Sequence, residues 1–439
     1  MPAESHVTYP LPEHMLPKVT LSKAEEDDYR TLSRTVVQKT LEEELEFRRF
    51  GADRQLPDHK WKFVKAKDRL KVYKQLPPAR TPSRSRSNSG VIPTPPGVSP
   101  PPPSPPKGSQ YGGVDGRAIA NPLGKVVPMV VAFGKIDGTL EDAIYGVHHK
   151  TTEEMRITTS FLNKHHIDSA VLHTIDRGTD ADPFRYLGIK WRLTQSPGGK
   201  IIYNRDACVL EHMGVDVDAK GGKYAFHMIK SLELPWFPAL PDPQVIRARL
   251  MLCCIYRQVA PGVVHMYIKG VFNLGGDLPD FIAYNKAADT LLALAHTVDC
   301  SEAKRLTLQI IKRQRDRLRT FRVAHVRGRK DEVVLVDRDA STVTESDEDQ
   351  YLDGADEDNC SLCTRHRGLL GKIGSGWDRC RICEQPVCPK CYVKKTVFAT
   401  PCHLRVPCCK ACIMDCKQIS VDPRDPYPVI GNLVDAGWQ

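Results

Sequence analysis

This sequence lacks any apolar run of the length that a membrane span requires. No stretch of its 439 residues approaches the roughly 20 consecutive apolar residues of a transmembrane helix. Residues 1–17 contain no apolar run of signal-peptide length. We therefore expect a soluble, cytoplasmic protein. A Gly-x-Ser-x-Gly elbow and a Walker P-loop are also missing, so we expect no enzymatic activity.

Cysteine is plentiful but unevenly distributed. Eleven of the 15 cysteines lie between Cys360 and Cys416. The other four have apolar neighbours and are predicted to be buried free thiols: Cys208, Cys253, Cys254 and Cys300. In a reducing compartment, clustered cysteines bind metal ions rather than form disulfides.

Eight of the clustered cysteines form four Cys-x-x-Cys pairs, namely Cys360/Cys363, Cys380/Cys383, Cys388/Cys391 and Cys409/Cys412. Each pair can hold one side of a tetrahedral zinc ion. The four-residue gap after Cys383 is too short for the second and third pairs to share an ion. The spacing therefore favours an interleaved arrangement with two Zn²⁺ ions, the first and third pairs on one and the second and fourth on the other. A disulfide framework or free thiols are the alternatives.

Charge is also unevenly distributed in this chain of net charge +10. Residues 304–330 are strongly basic, and residues 331–358 are acidic. This contrast has two interpretations. It could attract the chain to an anionic surface, or it is a solvated helix end followed by a disordered acidic linker, which we favour. No nucleic-acid partner is expected.

The first 110 residues contain one helix, one hairpin and one proline-rich segment. Residues 22–50 have near-helical apolar spacing and begin with a Ser22/Glu25 capping box. A hairpin is predicted around the turn at residues 67–69. Residues 77–110 are rich in Pro, Ser and Arg, which predicts a disordered or polyproline II insertion. Its residues 93–96 form a PxxP motif that could bind an SH3- or WW-type partner; the alternative, which we favour, is a plain extended insertion.

From residue 125 the pattern is that of a folded domain. A strand at 126–136 precedes two short helices at 139–147 and 151–162, the second with a Thr151/Glu154 capping box. Six strands joined by short turns follow, at 169–175, 186–193, 207–213, 224–232, 246–256 and 263–272, and a long helical pattern then covers 279–298 and 301–313. This order predicts an α+β fold in which an antiparallel sheet curves around a C-terminal helix.

This layout resembles the helix-grip fold of START lipid-binding domains over residues 24–315. The resemblance depends on residues 61–73, on the Gly-Thr-Leu-Glu-Asp sequence at 138–142 and on the closing helix. It implies a cavity for an apolar ligand such as a sterol, phospholipid or fatty acid.

The cysteine-rich segment resembles a FYVE zinc finger. Its all-cysteine set has Cys-x-x-Cys-x₄-Cys-x-x-Cys in the middle, where RING and PHD fingers usually have a histidine. The resemblance implies two small double-stranded sheets and a C-terminal helix held by metal ions. It also implies recognition of phosphatidylinositol 3-phosphate on endosomal membranes.

The family's basic motif is reduced in this chain. Arg379, Arg381 and Arg405 remain as candidate headgroup ligands, while Asp378 stands at a position where the family has histidine. Three apolar residues precede Cys380, where the family's membrane-inserting residues lie: Leu369, Leu370 and Ile373. The alternative is that they cover the small core of the finger.

Five segments are therefore expected: a flexible N-terminus (1–21), a START-like domain (22–315) interrupted by the 77–110 insertion, a linker (316–355), a FYVE-type finger (356–418) and a tail (419–439). The combination resembles the START–FYVE proteins of oomycetes. The first functional hypothesis is a lipid-binding protein whose finger docks it to membrane or protein. The alternative is an interaction scaffold with a filled core.

Overall fold

A computed structural model describes residues 7–49, 56–76, 129–196, 202–276, 278–328, 358–363, 365–367, 376–400 and 402–431. The predictions for the 77–110 insertion, including its PxxP motif, lie outside these residues. The α-helices are α1 (Lys23–Arg49), α2 (Leu140–Val147), α3 (Thr152–Leu162), α4 (Asp280–Ala293), α5 (Thr297–Gly328) and α6 (Lys410–Gln418).

The strands form one large sheet and two small ones. Those of the large sheet are β1 (Trp61–Lys67), β2 (Leu70–Gln75), β3 (Met129–Asp137), β4 (His166–Asp176), β5 (Tyr186–Thr194), β6 (Asn204–Val217), β7 (Lys223–Ser231), β8 (Val245–Arg247), β9 (Arg249–Ala260) and β10 (Val263–Asn273). Those of the small sheets are β11 (Asp378–Arg379), β12 (Pro386–Val387), β13 (Tyr392–Val397) and β14 (Leu404–Cys409).

Local sequence signals explain where several elements begin. The Ser22 hydroxyl accepts a hydrogen bond from the backbone N–H of Glu25 at 3.3 Å, and the Glu25 carboxylate accepts the Ser22 N–H at 2.8 Å, which is the predicted capping box. At α3 the Thr151 hydroxyl caps Glu154 as predicted, but the Glu154 carboxylate accepts from the backbone of Lys150 rather than of Thr151.

The large sheet has the strand order β1-β2-β3-β10-β9-β7-β6-β5-β4. Neighbours in this order are antiparallel. The short β8 pairs in parallel with the first residues of β6. The predicted antiparallel α+β architecture is therefore confirmed. The β10–β3 pairing is long-range in sequence, because it joins the last strand of this sheet along the chain to one of the first three.

The large sheet is covered on both faces. Alternation along β5 assigns Ile189 and Trp191 to the core that contains Val36 and Leu41 of α1. Tyr186 lies in the opposite core, which contains Ile144 of α2 and residues of α4. We call this second side, between the sheet and helices α2 and α4, the interior.

The C-terminal helical pattern is divided between two partners. Residues Leu294–His296 form a 3₁₀ turn between α4 and α5. Leu291 of α4 belongs to the interior core, whereas Leu306 and Ile310 of α5 pack against Val397 of β13. The helical pattern predicted to lie within the curved sheet thus packs on the sheet through α4 and on the cysteine-rich segment through α5.

No described helix is both long and apolar enough to cross a membrane.

Candidate metal centre and polar interior

The cysteine-rich segment, called the finger below, is built from two hairpins and one helix. Strands β11 and β12 pair antiparallel, as do β13 and β14, and α6 follows β14 directly. Each Cys-x-x-Cys pair lies at or beside a tight turn or helix start, where thiols two residues apart face the same side. Cys409, for example, is the N-cap of α6, and its sulfur accepts the Cys412 N–H at 3.4 Å.

Two groups of four cysteines converge in the finger. The first group contains Cys360, Cys363, Cys388 and Cys391, and the second contains Cys380, Cys383, Cys409 and Cys412. Within each group all Sγ atoms lie within 4.8 Å of one another. The fold thus brings the first pair to the third and the second to the fourth, and each group could hold one metal ion.

The sulfur geometry fits a tetrahedral ion better than a disulfide. The Sγ atoms of Cys363 and Cys388 are 3.6 Å apart, and those of Cys383 and Cys409 are 3.9 Å apart. A disulfide requires about 2.05 Å, whereas a tetrahedron with metal–sulfur bonds of about 2.3 Å places its sulfurs about 3.8 Å apart. All described cysteines are free of disulfides.

Backbone N–H groups also favour the thiolate form of one cysteine in each group. The Cys409 N–H donates to the Cys380 sulfur at 3.2 Å, and the Cys388 N–H donates to the Cys360 sulfur at 3.4 Å. Burial raises the pKa of Cys360, but N–H donors including Cys388 outweigh it and lower the pKa to about 6. Because metal ligands must be deprotonated, these donors suit metal binding at Cys360 and Cys380. The contact with Cys380 raises the pKa of Cys383 to about 11, and burial raises the pKa of Cys391 to about 12.

The remaining cysteines of the chain lie outside both groups. Cys208, Cys253, Cys254 and Cys300 are buried and free, as predicted. In the finger, Cys408 and Cys416 are buried in apolar contacts and Cys402 is exposed.

The finger is packed firmly against the rest of the chain. Phe398 is fully buried with Cys300 and Ala303 of α5, and its ring lies 5.6 Å from that of Phe161 of α3. The Tyr427 hydroxyl, beyond α6, is hydrogen-bonded to the Thr158 hydroxyl. An ion pair of 2.6 Å joins Lys395 to Glu302. Helix α5 therefore contacts both the finger and the helices α2 and α3.

The candidate headgroup residues are only partly brought together. Arg381 is exposed, and its backbone N–H donates to the Pro407 carbonyl at 2.9 Å, which places it beside the strand that carries the exposed Arg405. Arg379 is half-buried and its Nη1 donates to the Glu384 carbonyl at 3.1 Å. Asp378 accepts the Arg379 N–H at 2.9 Å. Leu369, Leu370 and Ile373 lie outside the described residues.

A second candidate site is a group of charged side chains buried in the interior. Lys190 of β5 and Glu211 of β6 are fully buried, with Nζ and Oε2 2.7 Å apart. The other carboxylate oxygen, Oε1, accepts from Arg192 Nη2 at 2.8 Å and lies 2.6 Å from His227 Nε2 of β7. We call these four residues the polar cluster.

The polar cluster is closed by the loop that follows α2. Lys190 Nζ donates to His149 Nδ1 at 2.8 Å and to the His149 carbonyl at 3.0 Å. From the other side, Lys304 of α5 donates to the carbonyls of Tyr145 and His148 at 2.8 and 2.7 Å. Two buried ammonium groups thus hold this loop.

Electrostatics keeps Glu211 and Lys190 of the polar cluster ionised and the neighbouring His149 neutral. Burial raises the pKa of Glu211, but Lys190 and Arg192 outweigh it and hold the pKa well below its ordinary value. Burial lowers the pKa of Lys190 to about 8, although Glu211 opposes this shift. Burial also holds the pKa of His149 well below its ordinary value, and Lys190 adds to this effect. At neutral pH the cluster therefore contains ionised acid and base beside a neutral imidazole.

Several polar atoms of this region have no hydrogen-bond partner among the described residues. They include Arg192 Nε and His227 Nδ1. A buried polar group left without a partner costs about 1–3 kcal/mol. Sequence reasoning missed the polar cluster. The available signal was a lysine and a glutamate at inward positions of apolar strands, where charge is rarely buried without a partner.

Two open grooves lie outside the interior. One, of about 100 Å³, lies between α1 and the outer face of β4–β7 and contains His212 and Arg185. The other, of about 660 Å³, lies at the end of the sheet where α1 terminates.

No protein-family model matches this chain, and no curated protein matches it. Among solved structures, human STARD10 is 11% identical over 64% of this chain and 81% of its own, with a TM-score of 0.34. Human StAR-related lipid transfer protein 5 is 14% identical over 62% of this chain and 96% of its own, with a TM-score of 0.36. A STAR-related lipid transfer protein fragment from Xanthomonas axonopodis is 14% identical over 54% and 98%, with a TM-score of 0.30.

Proposed function

We propose that this chain is a non-enzymatic lipid-binding protein. An amphipathic ligand, such as a sterol, phospholipid or fatty acid, would enter the interior between the sheet and helix α4. Its apolar part would contact the apolar side chains of that core, and its polar group would meet the polar cluster. The finger would support helix α5 and dock the protein to a membrane or a protein.

The observation that carries this proposal is the polar cluster within an apolar interior. Glu211 accepts from Arg192, lies 2.6 Å from His227 Nε2 and forms an ion pair with Lys190, yet Arg192 Nε and His227 Nδ1 have no hydrogen-bond partner among the described residues. Val209 and Met213, on the same face of β6 as Glu211, are fully buried apolar neighbours. A ligand with one polar end and an apolar body has the chemistry to satisfy both parts.

The test compares two arginine variants of the full chain. Arg192→Met removes a donor of the polar cluster but leaves Glu211 paired with Lys190. Arg249→Met, the control, removes a partly exposed arginine whose partner is Glu233. Native mass spectrometry of protein purified from a lipid-containing lysate should find bound lipid in the parent and in Arg249→Met, and roughly tenfold less in Arg192→Met. Absence of lipid from the parent, or equal retention in both variants, would contradict the proposal.

We infer that the metal is zinc, because four thiolates in a tetrahedral arrangement are typical of structural zinc sites. Elemental analysis should find two Zn²⁺ per chain. Cys380→Ser should remove one of them, whereas Cys402→Ser, at an exposed cysteine outside both groups, should remove none.

Membrane docking by the finger is a separable proposal. Arg381 and Arg405 are exposed cations, and the backbone of Arg381 is hydrogen-bonded to β14, the strand that contains Arg405. Guanidinium groups bind phosphate strongly. In a vesicle-pelleting assay, phosphatidylinositol 3-phosphate should increase binding, and Arg381→Ala should abolish the increase. Lys417→Ala, at an exposed lysine of α6, is the control. Equal pelleting with and without the lipid would exclude this role and the endosomal location that depends on it.

The alternative function, an interaction scaffold with a filled core, is supported by a different observation. Both grooves described above are open and lie outside the interior. On this hypothesis the finger binds protein, and the proline-rich insertion recruits SH3- or WW-type partners. A parent protein without lipid that captures such a domain through the PxxP motif would favour the scaffold.

A further inference from the structure

The groove of about 660 Å³ at the end of the sheet has an unusual lining. Four elements meet there: the C-terminus of α1, the start of α2, the turn between β6 and β7, and strand β9. Its lining contains five cationic side chains and two carboxylates, which are Arg48, Arg49, Lys220, Lys223, Arg257, Glu141 and Asp218. A concave surface with this excess of positive charge attracts anions.

Internal ion pairs account for only part of this charge. Lys223 pairs with Glu141 at 2.8 Å, and Arg48 lies 3.7 Å from Glu44, which is buried behind the groove. Arg49 and Lys220 have no ion-pair partner among the described residues. The groove therefore keeps two cations at its rim that its own carboxylates do not neutralise.

Arg257 supplies an independent indication of a ligand. Its side chain is 5% exposed; Nε lies 3.0 Å from Glu44 Oε2 and Nη1 lies 2.7 Å from Asp218 Oδ2. Its third nitrogen, Nη2, has no hydrogen-bond partner among the described residues. Arg257 lines the cationic groove, and its guanidinium, fixed by two carboxylates, has one buried donor group that lacks an acceptor.

We propose that this groove binds a phosphoryl group. Arg257 would donate from below, Arg49 and Lys220 would approach from the rim, and Leu45 and Leu140 would contact an apolar part of the same ligand. Phosphate fits better than a single carboxylate because its three acceptor oxygens can accept from several converging cations. The phosphoryl group could belong to a soluble polyphosphate or to an anionic lipid headgroup.

The experiment uses the full chain and two probes. Calorimetry with inositol hexakisphosphate measures binding of a soluble polyphosphate. Pelleting with phosphatidylcholine vesicles, with and without phosphatidic acid, measures binding of a lipid headgroup. The test variant is Arg49→Gln/Lys220→Gln, which breaks no ion pair among the described residues. The matched control is Lys62→Gln/Lys71→Gln, with the same charge change at exposed lysines of β1 and β2.

We expect the parent and the control to bind at least one probe, and the test variant to bind it roughly tenfold more weakly. Binding should weaken as salt is added. Calorimetric binding would identify a soluble ligand, and vesicle binding alone would identify a headgroup. Absence of binding to both probes, or an equal loss in the test variant and the control, would overturn the proposal.

Two further variants separate this site from the others. Arg192→Met in the interior and Arg381→Ala in the finger should leave binding in the groove unchanged. If Arg381→Ala removed the vesicle binding and the groove variant did not, the anion site would be the finger and the proposal would be wrong. Failure of lipid binding in the interior does not affect this test.

Discussion

The backbone N–H of Phe398, in the finger, donates a buried hydrogen bond of 2.9 Å to the hydroxyl of Thr307, in helix α5. The same hydroxyl donates to the Ala303 carbonyl at 2.7 Å. Phe398 is itself fully buried against α5. Because the N-terminal half of α5 packs on α2 and belongs to the core domain, this bond joins two parts of the chain that the sequence presents as separate.

Replacing Thr307 by valine should lower the free energy of unfolding by about 1–3 kcal/mol, because the buried Phe398 N–H loses its acceptor. Thr35→Val is a close control. Thr35 also donates to a carbonyl four residues earlier in a helix, at 2.8 Å, but it is exposed. Its replacement should cost less than about 0.5 kcal/mol. Urea unfolding measures both, and equal losses would mean that the bond contributes nothing.

Removing the metal should loosen helix α5 as well as the finger. The finger has few large apolar side chains of its own, so we expect its fold to depend on the proposed ions. Hydrogen–deuterium exchange after chelation should therefore rise in β13, β14 and the part of α5 between residues 300 and 310. Cys380→Ser should have the same effect and Cys402→Ser none. An unchanged α5 beside an unfolded finger would contradict this coupling.

Replacing Glu211 by glutamine should destabilise the chain by about 3–5 kcal/mol. The change leaves the buried ammonium of Lys190 without its counter-ion, and breaking a buried ion pair costs this much. Asp289→Asn is the comparison, because its 2.6 Å pair with Lys65 is half-exposed on both sides. Exposed pairs contribute at most about 1 kcal/mol. A loss for Glu211→Gln as small as that for Asp289→Asn, measured by urea unfolding, would show that the cluster is hydrated.

Acidification should destabilise the protein through its buried histidines. Burial lowers the pKa of His212 to about 4; Arg185 adds to this shift and Asp176 opposes it. The unfolded chain has the ordinary value of about 6.5. Below that pH the unfolded state binds more protons than the folded state, so the free energy of unfolding falls as pH drops. By pH 5, His212 alone should account for a loss of about 2 kcal/mol.

The variant His212→Asn tests this pH dependence. The difference in free energy of unfolding between pH 7 and pH 5 should become smaller by about 2 kcal/mol. His59→Asn, at an exposed histidine, should leave the difference unchanged. A pH dependence that is the same in both variants would contradict the prediction, whatever the absolute stability of His212→Asn.

Much of the fold could be predicted because its signals are local. The Ser22/Glu25 capping box, the turn at Asp68 and the strand at 186–193 each depend on residues within a few positions of one another. The structure agrees at each of these points, and Asp68 has the positive φ of 52° that its turn requires. The spacing of the Cys-x-x-Cys pairs is likewise a local signal.

The sites were less predictable because their partners are distant in sequence. The pairing of Glu211 with Lys190 could not be predicted, because it depends on the register of β5 and β6, which places both side chains on the inner face of the sheet. A shift of one residue in either strand would turn its side chain to the other face. Leu306 and Ile310 belong to the same predicted helical pattern as Leu291. Only the tertiary structure shows that they pack against the finger rather than the sheet.

By itself, the sequence determined which segments form helices and strands and which cysteines come in pairs, because hydrogen bonding and side-chain periodicity act over a few residues. The tertiary structure alone decided that the finger packs on α5, that Lys190 and Glu211 form a buried ion pair, and that Arg257 lines a cationic groove. These features depend on contacts between segments tens to hundreds of residues apart, whose geometry no local pattern contains.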